Sequence, residues 1–413
     1  MRELPHDSWL DATLPLLHEP YTCIPRHCAE AGASVLRARL LGRPAYLMTG
    51  REAAGVFYGP GMHREGAVPR IPASTLFGPR GVIQGTDGAE HAHRKRRAME
   101  LVQGGTADDL ALRFIDALEA ARPGWPGEVD LFEIARDALT RAVCGWAGVP
   151  LDEGEVSARG RMLSAMFLEA GAKTPAGRLR GARARRAAQR WLEPLIRDIR
   201  AGAAPVPPEA PAARAARWTH ADGRLLDVPV AAADLMSFLR PTVANAVWVV
   251  HIAHALHAHP AMAPRVAEDA AYRHAFVLEV RRLYPFFPVL AAIVGDGVAW
   301  RGRPLKPGAR AVLSIWGTNR DDAVWEAPEF FRPSRHQEGD PGPFDMIAQG
   351  GGGFHETHRC AGEWVTMRQC EAAAEWLTAR IGYTVATPEA EPDLRHPPGL
   401  PRGGFRLRGL HAV

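Results

Sequence analysis

The sequence predicts a mainly α-helical protein with a minor β part, and three observations carry that reading. Between about residues 110 and 284, apolar side chains recur at three- and four-residue spacing. After residue 286, short alternating apolar runs are parted by Gly/Pro turns, as in the strands of a small sheet. The balance of 46% apolar and 23% charged residues is that of an ordinary soluble globular chain. At 413 residues, the chain suits two domains or one large one.

Taken in order, the first 90 residues are mixed, with short apolar runs (PAYLMTG) and turn-rich stretches around Pro69 to Gly88. From about Leu110 to Arg200 the pattern is helical, as in EIARDALTRAVCGWAG and RAAQRWLEPLIRDIRAG. AGAAPVPPEAPAARAA then reads as a surface loop, with a domain linker as the less favoured alternative for the same stretch. Helices resume at about Val228 to Ala258 and Pro264 to Tyr284. PVLAAIVGDGVAW and ARAVLSIW read as strands, followed by a Gly-rich loop, a helix from about Ala361 to Ile381 and a strand-like end.

Charge and cysteine usage exclude several classes. The net charge of +4, from 50 basic and 46 acidic residues, is too small to argue for nucleic acid. The dense cluster Arg178 to Arg190 reads as a solvated helix face, with an anion or partner patch as the alternative. The first 21 residues lack the apolar core of a signal peptide, and no 18-residue apolar run suggests a transmembrane helix. Five widely spread cysteines fit neither a disulfide framework nor a zinc pattern, so the expected location is the reducing cytoplasm.

Three stretches carry candidate chemistry. In SFLRPTVANAV (237–247), an arginine and a proline stand side by side inside an apolar helical run. Interior proline costs about 3 kcal/mol, and an unpartnered buried guanidinium costs several more. In QGGGGFHETHRCAGEW (349–364), glycines precede Cys360 at the start of a helix. A phosphate cradle lacks the strand–GxxxxGK[ST]–helix context. A thiolate stabilised there by backbone amides is a natural haem ligand, with a buried structural cysteine as the alternative. Glu279 and Arg282, three apart in FVLEVRRLYP, and Arg335 in PEFFRPSR complete the set.

The order E-x-x-R, then P-x-x-F-x-P-x-R, then a Gly-rich loop with Cys and Gly, resembles the cytochrome P450 family across nearly the whole chain. The resemblance implies that family's fold, a helix-rich domain plus a small sheet domain around a buried haem. It implies one catalytic domain over 1–413: a mixed part at about 1–90, a helix-rich part at about 91–285, and the small sheet with the cysteine loop at about 286–413. Glu279, Arg282 and Arg335 would form a buried charged triad, and Cys360 would be the metal ligand. DGAEHAHRKRR resembles the helix that meets the haem propionates, with His91 and Lys95 in the matching places; Arg64 and His358 join the cofactor-binding set.

Two departures narrow the resemblance. Gly353 and Glu356 stand where the usual loop has phenylalanine and glycine, and Arg240–Pro241 stands where the usual distal helix has an acid–threonine pair. These features, with GVIQGTDGAEHAHRK, resemble the fatty-acid peroxygenase branch. The branch implies haem b, hydrogen peroxide as oxidant, a fatty-acid substrate, and no required redox partner. Catalytic roles then fall to Arg240, Pro241 and Gln84. Arg240 would anchor the substrate carboxylate, which itself acts as acid and base. The missing Pro241 amide would free the Ser237 carbonyl and bend the helix. Phe286, Phe287, Val289, Leu76 and Phe77 are candidates for the apolar channel, with plain core packing as the equal alternative. The resemblance leaves two rivals open: a reductase-dependent monooxygenase, and a non-catalytic haem-thiolate sensor or lipid binder.

Overall fold

The computed structural model describes residues 4–8, 10–79 and 81–413. Residues 1–3 and 9, within the N-terminal stretch discussed above, and residue 80, within the turn-rich 69–88, lie outside the described residues.

In chain order, the elements begin with α1 (Thr13–His18), α2 (Cys23–Glu30), β1 (Val35–Leu40), β2 (Arg43–Met48), α3 (Arg51–Phe57), β3 (Met62–His63), α4 (Arg70–Leu76) and α5 (Gly88–Val102). There follow α6 (Thr106–Ala121), β4 (Glu128–Asp130), α7 (Leu131–Ala147), α8 (Val156–Leu168), α9 (Pro175–Arg200), α10 (Pro211–Ala216), α11 (Val228–Ala244), α12 (Ala246–Ala258) and α13 (Ala263–Glu268). Next come α14 (Ala270–Leu283), β5 (Val289–Val294), β6 (Ala299–Trp300), β7 (Arg303–Pro304), β8 (Arg310–Ser314) and α15 (Ile315–Thr318). The chain closes with α16 (Glu363–Glu375), β9 (Ile381–Val385) and β10 (Arg406–Ala412). The expected mainly α, minor β class is what forms.

The described chain forms two compact units. The first comprises Met1–Arg70, Leu278–Cys360 and Pro392–Gly399. It holds a five-stranded sheet in the order β1-β2-β8-β5-β3. β2 runs parallel to β8, pairing Leu47 with Val312, and β5 runs antiparallel to β8, pairing Leu290 with Leu313. Val35, Met48, Ala292, Val294 and Leu313 build the core under the sheet with Phe57 of α3.

The second unit comprises Ile71–Val277, Ala361–Glu391 and Leu400–Val413. It is a helix assembly with a three-stranded sheet, β4-β10-β9. α7 starts where the Asp130 side chain accepts the Glu133 amide and stops at Gly148, whose φ of 69° is left-handed. α9 starts at a Thr174 cap followed by Pro175. Its core gathers Leu192 and Ile196 of α9, Val143 of α7, Leu163 of α8, and Leu235 and Leu239 of α11.

The structure corrects four local expectations. The loop expected over 201–216 ends in α10, whose alanines are fully buried, because Pro211 is well placed at a first helical turn and alanine is the best helix former. The expected helix Val228–Ala258 is two helices. The break falls at Asn245, and α11 runs on through Arg240–Pro241. Asn245 is held by side chains: Nδ2 donates to Gln369 Oε1 at 2.7 Å, and Oδ1 accepts from Thr366 Oγ1 at 3.1 Å. This stretch is long and apolar enough to cross a membrane, yet 83% of its most apolar window is buried in the protein, as for a core helix. Finally, the helix expected to Ile381 ends at Glu375, followed by a π turn over Trp376–Arg380.

The arginine cluster is only partly a solvated face. Arg178, Arg180, Arg183, Arg186 and Arg190 are exposed on α9. Arg185 is buried, and it donates to Met236 Sδ and to Gln189 Oε1. Burial pushes its pKa down to about 10.

Candidate active site

Within the second unit, α4, α5, α11 and the segment before α5 carry one group of candidates. Arg240 is buried, at 8% exposure, on a helix of largely apolar neighbours. Its guanidinium lies 5.8 Å from the centre of the Phe77 ring, a cation–π distance. Leu76 and Phe77 are half-buried, so neither is plain core. Ser237 lies one turn before Arg240, on the same helix face. Its hydroxyl donates to the Ala233 carbonyl at 3.0 Å and accepts from Gln84 Nε2 at 2.8 Å. The other amide atom, Gln84 Oε1, is buried and meets no hydrogen-bond partner among the described residues.

His91 and Lys95 are both buried on α5. Between them, Arg94 is fully buried and grips Asp234 of α11 through Nε, at 3.0 Å, and through Nη2. Arg94 also donates to the Gly81 carbonyl, and the Ile83 amide reaches Asp234 Oδ1 at 3.4 Å. Burial pushes the Asp234 carboxyl up, and the Arg94 charge and hydrogen bonds oppose it. This pair fastens the segment bearing Gln84 to the helix bearing Arg240. Sequence reasoning missed both residues, although Arg94 lies three positions from His91 on one helix face.

Within the first unit, Cys360 ends the Gly-rich loop, three residues before α16 begins at Glu363. Its amide donates to the Gln349 carbonyl at 2.9 Å, and Gln349 Oε1 accepts from the buried Arg281 of α14 at 2.7 Å. Thr357 Oγ1 lies 2.7 and 2.8 Å from the carbonyl oxygens of Gly351 and Gly353, which share its one proton. The glycines serve this folding-back. At Gly350, φ is +98° and a Cβ would stand 2.9 Å from the Arg359 Cα. His358 is half-buried in the same loop, and Arg64 is half-buried with its guanidinium 4.2 Å from the Phe57 ring centre.

The chemistry of the cysteines separates them. Cys23, Cys28, Cys144 and Cys370 are buried, whereas Cys360 is half-exposed. Burial pushes the Cys23 thiol up to about 11 and those of Cys28 and Cys144 up to about 12, so these are inert. Cys360, partly open at the end of a tightly hydrogen-bonded loop, is the cysteine that fits a soft metal such as haem iron.

The structure brings Glu279, Arg282 and Arg335 together, with Glu279 and Arg282 buried. Glu279 accepts from Arg282 Nε and Nη2, each at 2.8 Å, and from Arg335 Nε at 3.1 Å. Two partners were missed: the Arg332 amide and His336 Nε2, both at 2.8 Å. Burial raises the Glu279 carboxyl. The hydrogen bonds from Arg282 and His336 and the Arg282 charge outweigh it and bring the value down to about 2. A carboxyl lowered from its ordinary 4.5 contributes stability that is fully present above that value and is lost as pH falls through about 2. Chemical denaturation across pH should therefore show the stability difference between wild type and Glu279→Gln narrowing between pH 4.5 and about 2, by on the order of 3 kcal/mol. A gap independent of pH in that window would contradict the assigned ionisation.

Phe286 is half-buried and Phe287 is 36% exposed, whereas the half-buried Val289 packs against the core of Ala12, Ile24 and Leu47. Phe286 and Phe287 stack edge to face at 4.8 Å, and the Phe286 carbonyl accepts from Tyr21 Oη at 2.5 Å. A separate cavity of about 390 Å³ in the second unit, lined in part by Phe132, Arg136, Arg161, Val250 and Phe405, contains none of the candidates.

A family model described as Cytochrome P450 matches residues 262–377. Among curated proteins, "Cytochrome P450 71D180" of Origanum vulgare is 27% identical over 145 residues, 33% of this chain and 28% of that protein. "Putative cytochrome P450 137" of Mycobacterium tuberculosis is 30% identical over 156 residues, 36% of this chain and 32% of that protein. The chain thus spans about a third of the length of these relatives. Solved structures match over nearly all of both chains. A mutant of Cytochrome P450SP alpha (CYP152B1) is 37% identical with a TM-score of 0.94, covering 98% of this chain and 99% of that one. "Cytochrome P450EX alpha (CYP152N1) wild-type with myristic acid" is 32% identical with a TM-score of 0.96, covering all of both. A variant of cytochrome P450 OleT, in complex with arachidonic acid, is 30% identical with a TM-score of 0.95, covering 100% of this chain and 99% of that one.

Proposed function

Because this chain belongs to the cytochrome P450 family, in its fatty-acid peroxygenase branch, we propose that it uses hydrogen peroxide to hydroxylate fatty acids at Cα or Cβ. The observation that carries this reading is Arg240, a buried guanidinium followed by Pro241 where the distal helix of other members supplies an acid and an alcohol. The myristic and arachidonic acids named with two similar structures support the substrate class. We read the whole of 1–413 as one catalytic domain working in the cytoplasm without a redox partner.

Haem b, held through the Cys360 sulfur, would supply the oxidising iron that moves an oxygen atom from peroxide to carbon. Lys95, His91, Arg64 and His358 are the cofactor-binding candidates, the buried Lys95 ammonium and His91 ring of α5 suiting the propionates. Glu279, Arg282 and Arg335 stiffen the unit that carries the thiolate loop.

Arg240 orients the fatty acid by a bidentate pair with its carboxylate, and this pairing offsets the cost of burying the guanidinium. The clamped carboxylate takes a proton from one peroxide oxygen and returns it to the other, doing the acid–base work that neither arginine nor proline can do. Pro241 contributes by having no amide to compete for the Ser237 carbonyl. Leu76 and Phe77 of the second unit, and Phe286, Phe287 and Val289 of the first, are the apolar candidates for contact with the tail.

Gln84 bears on the product. Its amide cannot titrate, so it cannot deliver a proton to assist loss of the carboxylate. The expected products are mainly α- and β-hydroxy acids, with terminal alkene minor. Mass spectrometry of products from a fatty-acid panel with peroxide and no reductase tests the reading. An alkene majority would refute the role given to Gln84. Turnover only with a reductase and NAD(P)H, docked on the exposed arginines of α9, would make the protein a conventional monooxygenase.

A further inference from the structure

We propose that Ser237 is a positioning residue that fixes which end of the Gln84 amide faces the bound acid. The inference rests on the peroxygenase reading and deepens it. An amide side chain can present either its oxygen or its NH2, and neighbouring hydrogen bonds decide which. The Ser237 hydroxyl has one proton, and it is given to the Ala233 carbonyl one turn back at 3.0 Å. The hydroxyl oxygen can therefore only accept from Gln84, and what it accepts is Nε2, at 2.8 Å. The opposite amide orientation would set Gln84 Oε1 and the Ala233 carbonyl in competition for a single proton. The NH2 group is thus turned to α11, and Oε1 is left buried without a donor among the described residues.

A buried, unsatisfied acceptor is stabilised by a ligand that carries a proton. Ser237 and Arg240 share a helix face, so this acceptor stands on the side of the helix that presents the guanidinium. A carboxylate gripped by Arg240 offers no proton to Oε1. Once it has taken one, its hydroxyl can donate there. Oε1 therefore favours the protonated acid over the anion, the state the substrate must reach during the reaction. Ser237 acts through Gln84 and touches no reacting atom itself.

The test uses haem-loaded enzyme and separates binding from turnover. In Ser237→Ala the amide is free to turn its NH2 toward the anion. Binding of myristic acid, measured by calorimetry at neutral pH, should then hold or tighten, while kcat with peroxide falls about three- to tenfold. Ser237→Thr keeps a hydroxyl that bonds the carbonyl one turn back and should restore both values. Binding and turnover weakened in equal proportion in Ser237→Ala, neither value altered, or no rescue by threonine would each overturn the inference. The unaltered enzyme, run alongside with peroxide and no reductase, separates the two failures: no turnover of myristic acid there sinks the peroxygenase reading itself.

Discussion

Replacing Cys360 with alanine is expected to abolish peroxide-driven turnover and to remove the thiolate signature from the absorption spectrum of the reduced carbon monoxide complex. Three observations set the size of the effect. Cys360 is the half-exposed cysteine of the five, and its loop is held by the Gln349 carbonyl, the Arg281–Gln349 bond and the Thr357 bonds. None of these hydrogen bonds uses the sulfur. The remaining cysteines are buried, and no second thiolate stands ready to take its place. Cys360→Ser should likewise lose the signature, because a hydroxyl is not the soft donor that a thiolate is. The same spectrum from Cys360→Ala would show that the ligand had been misassigned.

Arg240→Ala is expected to lose most peroxide-driven oxidation of fatty acids while keeping haem. Arg240 lies on α11, in a different segment from the thiolate loop, so its loss leaves the proposed iron ligand in place. Leaving one partner of a buried charge pair alone costs about 3–5 kcal/mol, or roughly a hundred- to several-thousandfold in kcat/KM. Arg240→Lys should recover only part, since an ammonium cannot grip two carboxylate oxygens in a planar fork. Near-normal kcat/KM in Arg240→Ala would remove the anchor from the mechanism.

What was legible in the sequence was local. The Glu279–Arg282 spacing, the glycines before Cys360 and the Arg240–Pro241 pair all lie within a few residues of each other, and periodicity gave the helices around them. Burial of Glu279 was not legible, since an i,i+3 pair reads the same on a surface as in a core. His336, adjacent to Arg335, was missed because nothing in the chain shows that both side chains converge on one carboxylate. Arg94 and Asp234 are 140 positions apart, and Gln84 and Ser237 are 153 apart; only the fold brings each pair together. The break at Asn245, in a stretch expected as one helix, goes with a bond to Gln369, 124 positions away, which local periodicity cannot show. In 201–216, proline and alanine signalled a loop, yet alanines that meet a core become a buried helix.

The central claim is that the substrate's own carboxylate, held by Arg240, does the acid–base work. Comparing peroxide-driven turnover of myristic acid with that of its methyl ester tests it most directly, because the ester keeps the chain and removes the anion. Rapid hydroxylation of the acid with almost none of the ester is the predicted result; equal turnover of both would contradict the mechanism.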